Sequence, residues 1–310
     1  MTRKSVSEGE LLNRRVNYAT IWDMNNAIDD VWVVKSTGER ERFSLNKLRR
    51  SLTRSGADDE TINKIVEHLI PEIHDGMKTS QIYKHAYSIL KKSKYPAAIR
   101  YSLRKAVLEL GPSGFPFEKY VAEVMRGKGF TAETGVILPG FCVDHEVDIL
   151  MEKGDQHIFA ECKFHNQQGI KTDVKVALYV HARFMDLEKA HTEAHKKHEG
   201  EAKKIHSGWL ITNTKLTSDA IQYANCSGLT VIGWDYPEKG NLQDLILETG
   251  VHPLTFLSSL SQSDKNSLLE QGIVMCRELK SSPVALKSIG FSDDKIKEVI
   301  TEVDQVCQEF

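Results

Sequence analysis

Two segments of alternating apolar and polar residues, joined by a turn that contains a glycine, constrain the fold of this chain more than any other feature. Alternation places successive side chains on opposite faces of a β-strand. The connection covers residues 152–156, which include Gly154. The sequence therefore predicts a β-hairpin with one apolar face. The residues of that face are Val147, Ile149 and Met151 in the first strand and Ile158, Ala160, Cys162 and Phe164 in the second.

Three charged side chains share the opposite face of this hairpin. Asp148 leaves the first strand there, and Glu161 and Lys163 leave the second. Two carboxylates suit Mg²⁺, which takes oxygen ligands and usually keeps several waters beside a substrate phosphate. A bound cation activates the attacking water, and Lys163 would orient that water and offset charge in the transition state. We expect a metal-dependent phosphodiesterase site on this face.

The spacing of an acid, any residue and a lysine is not specific by itself, because it also occurs at residues 173–175, 201–203 and 293–295. The last two lie in charged or polar helical patterns, where a solvated helix face explains them. Glu161 and Lys163 differ because they interrupt a strand whose other face is continuously apolar. The alternative for these two residues is an exposed cross-strand charge pair without a catalytic role.

Segments on both sides of the hairpin extend this pattern. Residues 115–125 form a predicted helix with Pro116 near its start. Downstream, residues 208–214 and 229–234 are predicted strands, with a predicted helix over residues 217–224 between them. Residues 112–237 resemble the PD-(D/E)xK nuclease superfamily in its Mrr-like branch. The hairpin supplies the first acid and the (D/E)xK tripeptide, and the downstream unit matches a "TN…T…A…YA…G…I" pattern.

The resemblance implies a restriction-endonuclease-like α/β/α domain with a mixed sheet. It assigns catalysis to Asp148, Glu161 and Lys163, and metal ligation to Asp148, Glu161 and the backbone carbonyl of Cys162. Glu118 matches a helix glutamate that can reach the metal in this branch. The alternative for Glu118 is an ordinary first-turn glutamate that is favoured by the helix dipole. The glutamine that usually follows the tripeptide has no clear counterpart here.

The region before this domain has a second distinctive pattern. Residues 31–43 are predicted to form two short strands with a turn at Gly38, and Ser44 fits the N-cap of the helix that follows. Three further helical patterns predict a small sheet covered by four helices. Residues 31–110 resemble the ATP-cone, a nucleotide-sensing domain. The matching positions are Val33, Val34, Lys35, Gly38, Glu41, Phe43, Lys47, Arg50, Ser51, Thr79, Ser80, Ile82, Ala98, Arg100 and Tyr101.

The ATP-cone resemblance implies that ATP or dATP binds as a regulatory ligand. Lys35, Lys47 and Arg50 supply the positive charge that a triphosphate requires, although an exposed surface charge is the alternative for each of them. The sequence contains no Gly-x-x-x-x-Gly-Lys-Ser/Thr loop, so we expect the nucleotide to be sensed rather than hydrolysed. The residues implied to contact the nucleotide are Val33, Lys35, Glu41, Lys47, Arg50 and Thr79.

Short helical patterns close the chain and predict a small helical domain over residues 250–310. The run 285–291 resembles half of a helix-hairpin-helix motif, in which backbone amides at a hairpin glycine meet DNA phosphate. A packing or dimerisation domain is the alternative. The predicted helices cover residues 254–260, 264–270, 283–289 and 293–306.

Four histidines have a spacing that is compatible with a metal site: His191, His195 and His198 on one helical face, and His206 beyond them. The segment around them is rich in Lys and Glu and contains no Cys. We therefore prefer a solvated helix over a zinc site here.

Composition limits the setting in which the chain works. Its 310 residues, with 40% hydrophobic content, can bury two or three cores, and the net charge of -2 requires DNA contacts to be local and salt-sensitive. The odd number of cysteines, 5, and the absence of a Cys-x-x-Cys pair argue against a disulfide framework. Because the sequence has neither a membrane-spanning apolar run nor a signal-peptide core, we expect a cytoplasmic protein without a membrane partner.

These patterns predict a multidomain protein of the α/β and α+β classes. The predicted function is a nucleotide-regulated, Mg²⁺- or Mn²⁺-dependent DNA endonuclease, with restriction or defence as the setting that the resemblance suggests. Cutting both strands with one site per chain indicates a homo-oligomer, at least a dimer. The alternative is a catalytically silent, nucleotide-sensing DNA-binding regulator. The predicted segments are a polar arm 1–30, an ATP-cone 31–110, a nuclease domain 112–237 and a helical domain 250–310.

Overall fold

The structure, a computed structural model, describes residues 30–35, 38–93, 95–167, 169–195 and 205–307. The chain divides into two compact units, Met1–Tyr101 and Ser102–Phe310. Except for its last residue, the predicted polar arm 1–30 lies outside the described residues. Each unit has its own hydrophobic core, and each is described by itself below.

The first unit combines a small antiparallel sheet with helices, as its sequence predicts. The strands pair with Val33 opposite Glu41. Ser44 accepts a hydrogen bond from the N–H of Lys47 and thereby caps the first helix, as expected for a serine at this position. The elements are β1 (Trp32–Val34), β2 (Arg40–Arg42), α1 (Leu45–Arg54), α2 (Asp59–Leu69), a 3₁₀ turn (Ile70–Glu72), α3 (Thr79–Ser93) and α4 (Tyr95–Leu108), which continues past the boundary between the units.

Apolar residues at helical spacing build the core of the first unit. Each helix places one apolar stripe on the same interior, because residues three and four positions apart share a helix face. Val33 from β1 and Phe43 after β2 join them from the sheet. The helix residues of this core include Leu45, Leu48, Leu52, Ile62, Ile65, Val66, Leu69, Ile82, Ala86 and Leu90.

The second unit is built on a mixed five-stranded sheet of order β3-β4-β5-β7-β9. The pairs β3–β4 and β4–β5 are antiparallel, whereas β5–β7 and β7–β9 are parallel. A separate short parallel pair joins β6 and β8. The strands are β3 (Thr131–Pro139), β4 (Asp144–Lys153), β5 (Gln156–Lys163), β6 (Lys171–Thr172), β7 (Ile205–Thr212), β8 (Lys215–Leu216) and β9 (Thr230–Ile232).

The predicted hairpin is present as β4 and β5, but its turn is shorter than predicted. Only Gly154 and Asp155 lie between the two strands. Gly154 has φ 58°, a left-handed conformation that tight two-residue hairpin turns favour and that glycine adopts without strain. The pairing therefore continues two residues further at the end of β4 and one at the start of β5.

The helices of the second unit pack on this sheet and continue beyond it. Helix α5 contains the predicted buried stripe of Phe117, Tyr120, Val121, Val124 and Met125. The helices are α5 (Phe115–Gly127), α6 (Val174–His195), α7 (Ser218–Ser227), α8 (Leu242–Thr249), α9 (Gln262–Glu270), α10 (Glu278–Ser281), α11 (Pro283–Ser288) and α12 (Asp293–Cys307), with a 3₁₀ turn (Leu254–Phe256) before α9.

Two helical elements differ from the sequence prediction. The predicted helix over residues 254–260 is only a short 3₁₀ turn, because Glu302 accepts hydrogen bonds from the backbone N–H groups of Ser258 and Ser259, both at 2.8 Å. Helix α8 was not predicted, although Asn241 caps its start and its apolar residues are buried. Its eight residues are too few to display a periodic stripe in the sequence.

The C-terminal segment lies in the same compact unit as the mixed sheet. The hydroxyl of Tyr120 in α5 donates a hydrogen bond to the carbonyl of Val251 at 2.6 Å, and both partners are buried. Lys128 at the end of α5 also pairs with Glu248 of α8 at 2.7 Å. The start of the predicted helical domain therefore packs against the helix that was predicted to open the nuclease domain.

Helix α6 covers much of the hairpin face that was predicted to be polar. Phe159 of β5 is buried with Val147 and with Leu187 of α6, and Leu150 packs against the same cluster. Strict alternation would separate Val147 from Leu150, so the prediction that Val147 shares a face with Ile149 is wrong. The interruption coincides with the point at which the Asp148 side chain, rather than a backbone carbonyl, accepts the N–H of Cys162.

Candidate active site

The structure brings all four predicted catalytic side chains into one electrostatic neighbourhood. Asp148 lies in β4, Glu161 and Lys163 lie at the end of β5, and Glu118 lies in the first turn of α5. Asp148 acts on the pKa of both Glu118 and Glu161, and Lys163 acts on the pKa of Asp148 and of Glu161. Residues from three separate elements thus share one site.

Asp148 is tied directly to the neighbouring strand. Its Oδ2 accepts the N–H of Cys162 at 2.7 Å, which fixes the carboxylate beside Glu161. Burial raises the pKa of Asp148, and the hydrogen bond from Cys162 and the charge of Arg183 offset only part of that rise. The residue is held in place as an oxygen donor on the sheet.

The two glutamates of the site bind protons more tightly than ordinary glutamates. Burial raises the pKa of Glu118 to about 7, and the negative charges of Asp148 and Glu146 add to the rise. Burial also raises the pKa of Glu161 to about 7, with Asp148 adding to the rise and Arg183 opposing it. Such crowding of carboxylates favours any positive charge that enters the site, either a proton or a cation.

Arg183 of α6 is a site residue that the sequence did not reveal. Its Nη1 donates to Glu161 Oε2 and its Nη2 donates to the backbone carbonyl of Glu146. The guanidinium carbon lies 5.4 Å from the ring centroid of Tyr179, one helical turn earlier. A single arginine in an amphipathic helix gives no signal in the sequence, because its partners lie on strands far away along the chain.

Asp148 and Arg183 line an open, polar cleft of ≈ 330 Å³ beside the hairpin. Because three of its six lining residues carry carboxylates, the cleft suits a cationic ligand better than an apolar one. The lining residues are Asp144, His145, Glu146, Asp148, Tyr179 and Arg183.

The oxygen donors of this site suit a hard divalent cation in type but are not preassembled. Among the described residues, no group of three His, Cys, Asp or Glu side chains is placed to hold a metal ion. Arg183 engages one oxygen of Glu161, and the Cys162 amide engages one oxygen of Asp148. Mg²⁺ commonly binds through one or two carboxylates and keeps waters in its other positions. Asp148 and Glu161 fit that smaller donor set.

Asn213 fixes the segment that follows Lys163. Its Oδ1 accepts the N–H of His165 at 2.9 Å, and its Nδ2 donates to the carbonyl of the same residue at 2.8 Å. Asn213 is 1% exposed, so these bonds have no competition from solvent. The Thr-Asn pair at the end of β7 therefore has a structural task, which is to hold the chain next to Lys163.

The predicted nucleotide residues of the first unit also come together in part. Glu41 accepts from both Lys35 and Lys47, with N–O distances of 3.1 Å and 3.2 Å. Burial raises the pKa of Glu41, but the hydrogen bonds from the two lysines outweigh it and the net pKa is lowered. A lysine directly after β1 and a lysine on α1 thus contact the same carboxylate.

The other three implied nucleotide residues lie in different environments. Val33 lies in β1, and its side chain is buried in the core of the first unit. Thr79 begins α3 next to β1, because the N–H of Val34 donates to the Met77 carbonyl at 3.0 Å. Arg50 is exposed on α1 one turn after Lys47.

His191 does not lie on the solvated helix face that we predicted for it. His191 of α6 and His206 of β7 stack with ring centroids 4.9 Å apart, and His157 of β5 lies 5.6 Å from His191. They form an aromatic cluster with Phe159 because α6 packs on the sheet at this point. The side chain of His195 and all of His198 lie outside the described residues.

Gly290, the centre of the predicted helix-hairpin-helix resemblance, lies between α11 and α12 with φ 88°. The N–H of Gly290 donates to the Lys287 carbonyl at 3.0 Å, and that of Phe291 donates to the Leu286 carbonyl at 3.2 Å. These bonds end α11 in the way that a left-handed glycine commonly ends a helix. The glycine is therefore explained by capping, and its contact with DNA stays a prediction.

Known proteins resemble both ends of the chain. The ATP cone domain family matches residues 31–106, and the family described as AF1548-like, C-terminal, matches residues 252–307. An uncharacterized protein of Archaeoglobus fulgidus is 35% identical over 187 residues, which make up 60% of this chain and 99% of that protein. The chain belongs to the AF1548-like family. The chain also resembles a crystal structure of AF1548, described as a protein of unknown function, with a TM-score of 0.51 and 34% sequence identity. The match covers 64% of this chain and 100% of the AF1548 chain.

This AF1548-like chain therefore carries an ATP-cone, as predicted, which gives it a nucleotide-sensing regulatory domain. The nuclease domain over residues 112–237, its catalytic residues and its metal stay predictions. No helix among the described residues is long and apolar enough to cross a membrane. The thiols of all five cysteines are free.

Proposed function

We propose that this protein is a Mg²⁺-dependent endodeoxyribonuclease whose activity is regulated by ATP or dATP. The convergence of Asp148, Glu161 and Lys163 at the end of one hairpin carries the proposal. Two strands present carboxylates within mutual electrostatic range, and an exposed ammonium follows two residues after one of them. Burying neighbouring carboxylates is energetically unfavourable, and binding of a cation and a phosphate is a function that accounts for it.

Each residue has a distinct task in the proposed hydrolysis. Asp148, Glu161 and the backbone carbonyl of Cys162 would hold the cation, which when bound polarises the phosphate and activates water. Lys163 would orient the attacking water and stabilise negative charge on the phosphorus oxygens as the P–O bond to the leaving group breaks. Glu118, with its pKa near pH 7, is suited to accept the proton that the water releases.

Nucleotide would act through the cluster of Lys35, Glu41 and Lys47. A triphosphate carries more negative charge than Glu41, so it would draw both lysines away from that carboxylate. Regulation requires ATP to bind one state of the protein more tightly than the other, since equal affinity shifts nothing. We further propose that DNA is cut by a homo-oligomer of at least two chains, because each chain has one site, and that the cutting serves restriction or defence.

Cleavage of supercoiled plasmid with Mg²⁺ or Mn²⁺, in the presence and absence of ATP or dATP, tests this function. We expect Asp148→Asn and Lys163→Ala to lower the rate by about 10²-fold to 10⁴-fold, the usual cost of losing a catalytic group. The matched controls are Asp155→Asn and Lys153→Ala, which alter the same kinds of side chain at the opposite end of the hairpin. The controls should cut like the wild type.

A wild type that binds plasmid but leaves it intact under every metal and nucleotide condition would contradict this function. Equal rates in the control and site variants would instead point to a contaminating nuclease. Cutting that does not respond to nucleotide would leave the nuclease intact and remove its proposed regulation.

The second candidate is a catalytically silent, nucleotide-sensing DNA-binding regulator. The pairing of Arg183 with Glu161 favours it, because a guanidinium already neutralises one of the two carboxylates that would hold the cation. In that case DNA binding should respond to ATP, and neither Asp148→Asn nor Lys163→Ala should change that response.

A further inference from the structure

Arg183 occupies a position that conflicts with a cation on Glu161. Its guanidinium contacts the Glu161 carboxylate and the Glu146 carbonyl at the same time. The side chains of Arg183 and Glu161 are only 16% and 23% exposed, so solvent screens their interaction weakly. A divalent cation on the same carboxylate would repel the guanidinium strongly at such short range. The guanidinium and a cation would therefore compete for the same carboxylate.

Helix α6 packs closely on the sheet around Arg183, so we expect a change of partner to involve its side chain rather than the helix. Val180, Phe184 and Leu187 of α6 pack against apolar residues of the sheet. The fit is tight: a Cβ on Gly208 of β7 would lie 2.7 Å from the Phe184 ring. The helix therefore acts as a rigid support that presents the guanidinium beside the hairpin.

The cleft offers the Arg183 side chain an alternative position. Arg183 lines it together with Asp148 and Tyr179, and Tyr179 is 57% exposed. The Tyr179 ring already lies near the guanidinium and can support its stem outside the ion pair. The planar guanidinium, with five N–H donors, matches two oxygens of a phosphate at once. With a bound cation offsetting the carboxylates of the cleft, a backbone phosphate of DNA would come within reach of Arg183.

We propose that Arg183 is an exchangeable counter-ion, which neutralises Glu161 before a divalent cation binds and contacts a phosphate of DNA afterwards. This inference rests on the proposed nuclease function, since it needs both the cation and the phosphate at this site. It explains why a residue so close to the two carboxylates is an arginine. The exchange couples the two ligands, because cation binding frees the group that holds the phosphate.

Two binding measurements on the full-length protein test the exchange without relying on cleavage. Mn²⁺ binding is followed by electron paramagnetic resonance, with Asp148→Asn identifying the site. Arg183→Gln should bind Mn²⁺ about tenfold more tightly than the wild type, because the competing positive charge has gone. Binding of a short DNA duplex in the presence of Ca²⁺ should weaken in Arg183→Gln. The slope of log affinity against log salt concentration should decrease in magnitude by about 1, which corresponds to the loss of one phosphate contact.

Arg126→Gln is the matched control, because Arg126 also contacts one glutamate, Glu123, and one backbone carbonyl, that of Ala132. It lies on α5 and should change neither measurement. Arg183→Lys keeps the charge without the bidentate geometry, so its Mn²⁺ affinity should stay near that of the wild type. This second variant separates loss of charge from loss of folding if Arg183→Gln proves unstable.

The outcomes separate this inference from the proposed function. Unchanged or weaker Mn²⁺ binding in Arg183→Gln, or an unchanged salt slope, overturns the exchange even if the wild type cuts DNA. Tighter Mn²⁺ binding and a reduced salt slope, combined with no cutting by the wild type, support the exchange and overturn only the nuclease. Absence of any Asp148-dependent Mn²⁺ binding in all variants overturns both.

Discussion

Glu118 shows how the surroundings of one residue set its chemistry. It lies in the first turn of α5, where the helix dipole favours a negative charge. Burial and the nearby carboxylates of Asp148 and Glu146 nevertheless dominate and raise its pKa to about 7. The folded chain therefore keeps a proton on Glu118 at pH values where the unfolded chain, with the ordinary value of 4.5, has released it.

This difference predicts how Glu118 affects stability as the pH changes. Between pH 4.5 and 7 the folded state holds more protons at Glu118 than the unfolded state, so its contribution to stability falls as pH rises. Glu118→Gln removes that penalty. The variant should be more stable than the wild type by roughly 1–3 kcal/mol at pH 8 and equally stable near pH 4.5. Urea denaturation at both pH values measures the difference.

The control for this prediction is Glu248→Gln, an exposed glutamate that pairs with Lys128 on the surface. Its effect should be small at either pH, as for most exposed ion pairs. A stabilisation by Glu118→Gln that is the same at both pH values would show that packing, rather than proton binding, separates the variant from the wild type.

At the scale of elements, the ends of β5 and β7 determine where Lys163 lies. Parallel pairing places Lys163 beside Thr212, and the Asn213 side chain then bonds both backbone groups of His165. Thr172 of β6 joins this region through its hydroxyl, which lies 2.9 Å from that of Thr212. Lys163 is thus carried on a strand end that is anchored from the neighbouring strand.

Asn213→Ala should weaken this anchor. Losing two buried hydrogen bonds should lower the free energy of unfolding by about 2–4 kcal/mol, since the His165 backbone groups lose their partners. The proposed cleavage should fall about tenfold, because small displacements of a catalytic group are costly, while Asp148-dependent Mn²⁺ affinity stays unchanged. Urea denaturation, plasmid cleavage and Mn²⁺ titration give the three values.

Asn225→Ala is the control, because Asn225 is exposed on α7 and accepts only a long hydrogen bond of 3.4 Å from the Tyr236 hydroxyl. It should match the wild type in all three measurements. If Asn213→Ala weakened Mn²⁺ binding as much as it slowed cleavage, Asn213 would support the whole site rather than the Lys163 segment.

At the scale of the whole molecule, the chain joins a nucleotide-sensing unit to a unit with the candidate active site. The ATP-cone lies mainly in the first compact unit, whose core is formed by its own residues. A ligand that binds only the folded form of this unit stabilises it by mass action. Nucleotide binding is therefore measurable without any assumption about what the second unit does.

ATP at 100 times its Kd should stabilise the protein by about 2.7 kcal/mol, and a thermal-shift titration measures this effect. The double variant Lys35→Gln and Lys47→Gln should weaken ATP binding about tenfold or more, because the two proposed contacts between lysine and phosphate are lost. Lys64→Gln is the control, since Lys64 forms an exposed pair with Glu60 on α2 at 2.7 Å. An equal ATP effect in the double variant and the wild type would place the nucleotide elsewhere.

Features that depend on neighbours along the chain could be read from the sequence. Alternation in β5 predicted that Glu161 and Lys163 leave the strand together, and Ser44 marked the start of α1 because capping is a local interaction. The helical stripes identified the core of the first unit for the same reason. The ATP-cone was also recognisable, since its matching positions lie in a continuous stretch.

Features that depend on contacts between distant segments were decided only by the tertiary structure. Arg183 bonds to Glu161, 22 positions earlier, and Asn213 bonds to His165, 48 positions earlier. Glu302 bonds to Ser258, 44 positions earlier, in the segment that was predicted to be helical. The histidine cluster arises in the same way, where α6 crosses the sheet. The sequence alone determined which side chains leave each strand or helix together, because backbone geometry repeats over a few residues. It did not determine what they meet, because that depends on how separate elements pack.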